Sequence, residues 1–190
     1  MPPRFAFVRG PSWERIEKET EEAFAELAES LGGAVQQIDL PVPGDVLAWH
    51  RTLMEAEMAA NLDLEWEKGR DKLSEPLRAL LERGRAVPAL EYQRALARIP
   101  LLNEVLAEVF ESVDAIVTPA APGTAPKGLG ATGDPSFCTL WTLCGTPAIS
   151  LPLMQGSNGL PLGVQLVGPR HGDARLLRTA RWLVDQTREE

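Results

Sequence analysis

Asp114-Ala-Ile-Val-Thr-Pro-Ala-Ala-Pro122, Gly145-Thr-Pro-Ala-Ile-Ser-Leu-Pro152 and Gly163-Val-Gln-Leu-Val-Gly-Pro169 are pieces of one nearly uncharged run that ends at Gly172. Lys127, Asp134 and Arg170 are the only formal charges between Asp114 and Asp173. A long uncharged run cut into short apolar pieces by Pro and Gly reads as buried strands inside a larger layered body. Asp114 to Thr118 is a strand stopped by Pro119, and 119–133 is an irregular loop. Asp134 caps a short helix with Pro135 at its first position, running to Cys144. Ala148 to Leu153 and Leu162 to Val167 are two further strands, and the turn residues Ser157-Asn158-Gly159 between them predict a hairpin. Asp173 is the expected N-cap of a closing helix striped by Leu176, Leu177, Ala180, Leu183 and Val184.

Outward toward the N-terminus, Phe5 to Val8 is a short strand. Ser12 is the expected cap of a helix whose Ile16, Thr20, Ala23, Phe24, Leu27 and Leu31 recur at helical spacing, and Gly32-Gly33 stops it. Ala34 to Leu40 is a second strand, so residues 1–44 form a strand–helix–strand unit suited to a parallel crossover. Residues 45–113 are helical. Val46, Trp49, Leu53, Ala56 and Ala60 make one stripe, and Leu73, Leu77, Leu80 and Leu81 another. A third stripe runs from Tyr92 to Phe110, kinked or broken at Pro100. Carboxylates such as Glu55 and Glu57, two apart, do not share a helix face and are expected on a solvated surface. The class is α/β, within a single region 1–190 whose sheet core and closing helix are 114–190.

Bulk properties narrow the function. A net charge of −8 with no Lys/Arg cluster argues against nucleic acid. No apolar run approaches the roughly 20 residues of a membrane helix, and the first ten residues lack the apolar core of a signal peptide. Two cysteines, Cys138 and Cys144, suit a reducing compartment, with cytoplasm the default. Their spacing fits no zinc pattern, His50 and His171 are remote in sequence, and both thiols read as small core residues. No metal or cofactor is expected. Gly128-Leu-Gly130-Ala-Thr-Gly133 matches a dinucleotide fingerprint but follows no strand directly and has no ribose-binding acid after it, so loop flexibility is the reading. Ser136, Ser150 and Ser157 lie in no nucleophile elbow.

The order Asp114-Ala-Ile-Val-Thr-Pro119, a glycine loop, Phe137-Cys-Thr-Leu-Trp-Thr-Leu-Cys-Gly-Thr-Pro-Ala-Ile-Ser-Leu-Pro152, then Gly159-Leu-Pro-Leu-Gly-Val-Gln-Leu-Val-Gly-Pro-Arg170 and Asp173-Ala-Arg-Leu-Leu resembles the C-terminal part of the amidase signature family. The resemblance covers Asp114 to Val184 and extends to Phe5-Ala-Phe-Val-Arg9. It implies a mixed sheet between helices, an amide substrate and a Ser–Ser–Lys triad. No Gly-Gly-Ser-Ser-Gly run is present, and Lys18, Lys68, Lys72 and Lys127 match no triad context. Thr142 stands where many members have Asn. The resemblance implies that Thr118, Pro119, Phe137 and Trp141 line an acyl pocket; Phe137 and Trp141, four apart on a short helix, equally suit a core. Two expectations follow. One is the C-terminal portion of an amidase, inactive alone, partnered by an N-terminal catalytic half. The other is a non-catalytic binding module, partnered by a second copy of itself.

Overall fold

The computed structural model describes residues 2–188. The elements are β1 (Phe5–Val8), α1 (Lys18–Leu31), β2 (Val35–Ile38), α2 (Val46–Asn61), α3 (Asp63–Gly69), α4 (Glu75–Arg85), α5 (Ala89–Leu96), α6 (Arg98–Ser112), β3 (Ala115–Pro119), α7 (Thr139–Cys144), β4 (Ala148–Gln155), β5 (Pro161–Val167) and α8 (Asp173–Arg188). They fall into two compact units, one of Met1–Pro43 with Leu102–Glu190 and one of Gly44–Leu101.

The first unit is built on a five-stranded mixed sheet in the order β2-β1-β3-β5-β4. β1 pairs in parallel with both β2 and β3, as the strand–helix–strand reading of residues 1–44 requires. β5 runs antiparallel to β3 and to β4, so β4 and β5 form the predicted hairpin. Its turn closes through Gly159, at a φ of 79°, where a side chain would be strained. Phe5, Phe7, Ala115, Val117, Leu151, Val164 and Leu166 share one sheet face and pack with Phe24 and Leu27 of α1 and Leu176, Ala180 and Leu183 of α8. Burial of each such large side chain contributes about 1.5–3 kcal/mol. Alternate residues point the other way, so Ile116, Thr118 and Gln165 lie on the opposite face, all buried.

Several local expectations are corrected. Ser12 does not cap α1. A 3₁₀ turn at Trp13–Arg15 intervenes, stapled by the edge-on contact of Trp13 with Phe7, and Ile16 returns to extended backbone before the helix starts at Lys18. The Ser12 hydroxyl instead donates to the Ser136 carbonyl at 3.3 Å. The strand after Gly33 is shorter than expected, Val35–Ile38. Asp173 is the first helical residue rather than the cap, because Leu176 N already bonds to the Gly172 carbonyl.

In the helical unit, α2 packs against α4 and α5. Gly84 of α4 sits where a Cβ would collide with the Glu55 carbonyl and the Ala59 side chain of α2, so the two helices approach at backbone contact. That geometry turns Glu55 inward. It is only 6 % exposed, contrary to the solvated surface expected, and its Oε1 accepts from Arg83 Nε and Nη2 at 2.9 and 2.6 Å. The chain breaks between α5 and α6 at Ala97 rather than Pro100. Pro100 falls in the first turn of α6, where its missing N–H has no partner to lose.

Candidate active site

β1 is followed by β2 on one side and neighbours β3 on the other, which makes the gap beyond the carboxyl ends of β1 and β3 a topological switch point. Open α/β sheets bind ligands in that crevice. A cleft of about 750 Å³ lies there, lined by Glu17 at the start of α1, the loop from Ala120 to Pro126 after β3, Thr132–Pro135, and Ser150, Pro152, Pro161 and Gly163 of the hairpin.

Each wall has a sequence cause. Ala120 N donates to the Gly163 carbonyl at 3.0 Å, carrying the β3–β5 ladder into the cleft. A Cβ on Gly163 would stand 2.8 Å from Ser150 Oγ and 2.9 Å from Ala120 Cβ, so this glycine keeps the floor open. Glu17 N donates to the Pro122 carbonyl at 2.9 Å, and the Glu17 carboxylate covers Gly123 so closely that no side chain fits there. Asn158 Nδ2 donates to Thr124 Oγ1 at 2.8 Å, and Ser157 N donates to Glu19 Oε1 at 2.5 Å, tying the hairpin turn to the loop and to α1. The glycine run 128–133 is part of this irregular segment, with Gly128 and Gly133 at φ of 94° and 99°.

Asp134 caps the turn before α7 as expected, its Oδ1 accepting from Ser136 N at 2.9 Å, and it pairs with Arg15 at 3.2 Å. Burial raises the Asp134 carboxyl, but the Ser136 hydrogen bond and Arg15 outweigh it, leaving the pKa below its ordinary value. The lining is otherwise small and weakly polar. It offers hydroxyls at Thr124, Thr132 and Ser150, with no His or Lys beside them. They do not by themselves assemble a nucleophile with its base.

Among the residues expected at the pocket, Thr118, Pro119, Phe137 and Trp141 are all buried and none lines the cleft. Pro119 leads straight into the lining residue Ala120, and Phe137 follows Pro135 by two. What joins them is Gln165, which lies opposite Thr118 across the β3–β5 ladder. Its Nε2 donates to the carbonyls of Pro119 and Phe137, both at 3.3 Å, and its Oε1 accepts from the Cys138 thiol at 3.6 Å. The Cys138 thiol also lies 3.4 Å from the Ala120 carbonyl. Trp141 is one turn further on, with its carbonyl accepting from Thr146 N and Oγ1. Gln165 was not singled out from sequence. The available signal was one amide side chain alternating with apolar residues in a strand whose both faces are covered. Cys138 and Cys144 are free thiols, and burial pushes Cys144 up to about 11, with Arg170 opposing. His50 is half-buried on α2 and lowered by desolvation, whereas His171 is exposed at a φ of 63°. Among the described residues no group of three or more His, Cys, Asp or Glu is placed to hold a metal ion. No described helix is long and apolar enough to cross a membrane.

The family described as Amidase matches residues 1–177. The chain belongs to the amidase family. Similar amidase-family proteins include the fatty acid amide hydrolase of Medicago truncatula, 29 % identical over 178 residues, which are 87 % of this chain and 29 % of that protein. A glutamyl-tRNA(Gln) amidotransferase subunit of Halothermothrix orenii is 36 % identical over 96 residues, 47 % of this chain and 20 % of its own length. A crystal structure described as that of an amidase superposes with a TM-score of 0.86 and 27 % identity, covering 98 % of this chain and 46 % of the other. The chain thus spans less than half the length of these amidase relatives, and the mixed sheet with its flanking helices is the amidase fold over that span.

Proposed function

We propose that this chain forms one wall of the substrate cleft of an amide-hydrolysing enzyme, and that the Ser–Ser–Lys triad lies in amidase sequence outside these 190 residues. The observation that carries this reading is the cleft itself. It sits at the switch point of an amidase sheet, and it is walled by Ala120–Pro126 and by Asp134 and Pro135, which adjoin the Asp114–Pro119 and Phe137–Pro152 motifs on which the family resemblance rests. Within this reading Thr118, Pro119, Phe137 and Trp141 serve the acyl pocket from behind those segments, with Gln165 holding two of their carbonyls in place. The remaining wall comes from an N-terminal catalytic half in the cytoplasm. A preorganised wall contributes orientation and water exclusion, and the nucleophile and oxyanion donors must be added to it.

The test is ammonia release from a panel of primary amides by the purified 190-residue chain, with light scattering for its oligomeric state. Release at the uncatalysed rate is expected. Turnover that tracks the purified protein would place a nucleophile within the chain and overturn the proposal.

A further inference from the structure

Between Thr124 and Asp134 the rim of the cleft carries a loop with no hydrogen bonds of its own. Residues 125–133 are all exposed, and none of them bonds to a described residue. The posts on either side are fixed. Thr124 Oγ1 accepts from Asn158 Nδ2 at 2.8 Å, and Asp134 accepts from Ser136 N at 2.9 Å and from Arg15 at 3.2 Å. The feet of the loop come together, because a Cβ on Gly133 would stand 3.7 Å from Pro126 Cδ. Ends that close make residues 126–133 an Ω-loop, a form that frequently carries function. Both feet, Pro126 and Thr132–Gly133, line the cleft.

The tip of this loop is apolar. Leu129 is fully exposed, more so than any other large apolar side chain among the described residues. Gly128 and Gly133 stand on either side of it at φ of 94° and 99°, a backbone open to glycine and strained for other residues. Around Gly128 and Gly130 there is open space, since an added Cβ would meet nothing within 4 Å. Few contacts and no backbone hydrogen bonds put a segment at the low-stability end of a fold, from which lids are drawn. Burial of Leu129 would be favourable, and the cleft beside its feet offers apolar walls in Ala120, Ala121, Pro122 and Pro135. The tip lies three residues from Pro126, a reach of about 10 Å at ~3.3 Å per residue, which is enough to enter the cleft.

We propose that residues 127–133 are a lid, hinged at Gly128 and Gly133, that folds over the cleft and seals it with Leu129. Closure of such a loop excludes water from what the cleft holds. The lid rests on the geometry of the cleft and the loop. Only its use in catalysis rests on the amide-hydrolysing reading.

The experiment has two arms on the 190-residue chain. In the first, Leu129→Cys is combined with Ser150→Cys, an exposed one-atom change on the cleft wall, and the disulfide is followed by peptide mapping under mild oxidation. Mapping separates it from any bond to Cys138 or Cys144. The control combines Leu129→Cys with Ser112→Cys, exposed at the far end of the sheet. The 129–150 bond is expected to form at least tenfold faster than the 129–112 bond. Equal rates, or no 129–150 bond, would overturn the lid. In the second arm, the chain with its natural residues and ¹³C-labelled Leu and Ala methyls is mixed with butanamide. Nuclear Overhauser contacts from the ligand to both Ala121 and Leu129 are expected. Contacts to Ala121 without Leu129 would overturn the lid and leave the cleft as a binding site. Formation of the 129–150 bond with no butanamide contact would uphold the lid and count against the amide-hydrolysing reading alone.

Discussion

Gln165 concentrates more of the site's geometry than any group lining the cleft. Its amide satisfies two buried carbonyls and accepts a hydrogen bond from the Cys138 thiol, so three segments meet on one side chain. Gln165→Leu preserves bulk but leaves the Pro119 and Phe137 carbonyls without that donor. Unsatisfied buried groups cost about 1–3 kcal/mol each, with partial relaxation here, so a loss of roughly 2 kcal/mol in urea unfolding is expected. A change below about 0.5 kcal/mol would show that the amide is dispensable. The thiols follow from burial in the same way. With Cys144 pushed up to about 11 and 1 % exposed, almost none of it is thiolate at neutral pH. Native protein at pH 8 is expected to leave Cys144 unmodified by a thiol reagent under conditions that label it fully in urea. Rapid native labelling of Cys144 would contradict the packing.

Asp114 joins elements rather than residues, because it binds the chain entering β1 through Arg4 N and the first turn of α8 through Arg175. Burial raises its pKa, but the Arg4 hydrogen bond and the Arg175 pair outweigh that and leave it below the ordinary 3.8. A folded-state pKa below the unfolded one stabilises the fold above the unfolded value, and that stability is lost as pH falls through the folded value. The window is therefore pH 3.8 and below. Asp114→Asn is expected to lower stability at pH 7 and to flatten the fall in stability below about pH 4, read by urea midpoints across pH. Parallel pH curves for the two proteins would remove Asp114 from acid denaturation.

For the molecule as a whole, the amino-acid sequence by itself determined the class, the β4–β5 hairpin, the parallel crossover through α1 and the family. The class, the hairpin and the crossover rest on periodicity and on punctuation by Pro and Gly, which are local and survive in the linear text, and the family rests on the resemblance carried by the order of motifs from Asp114 to Val184. It also carried the Asp134 cap, because a cap needs only the residues beside it. The helical boundaries were less legible. Ser12 has the composition of a cap, yet Trp13 finds Phe7 and delays the helix to Lys18. Glu55 has the sequence of a surface acid, yet the close approach of Gly84 and the reach of Arg83 place it inside. Only the tertiary structure decided which polar groups meet. Gln165 with Pro119 and Phe137, Glu17 over Gly123, and Arg175 with Asp114 are separated by 46, 28, 106 and 61 positions, as the residue numbers show. No spacing rule spans such gaps, because hydrogen bonds and ion pairs act within a few ångströms and only the folded sheet brings their partners that near.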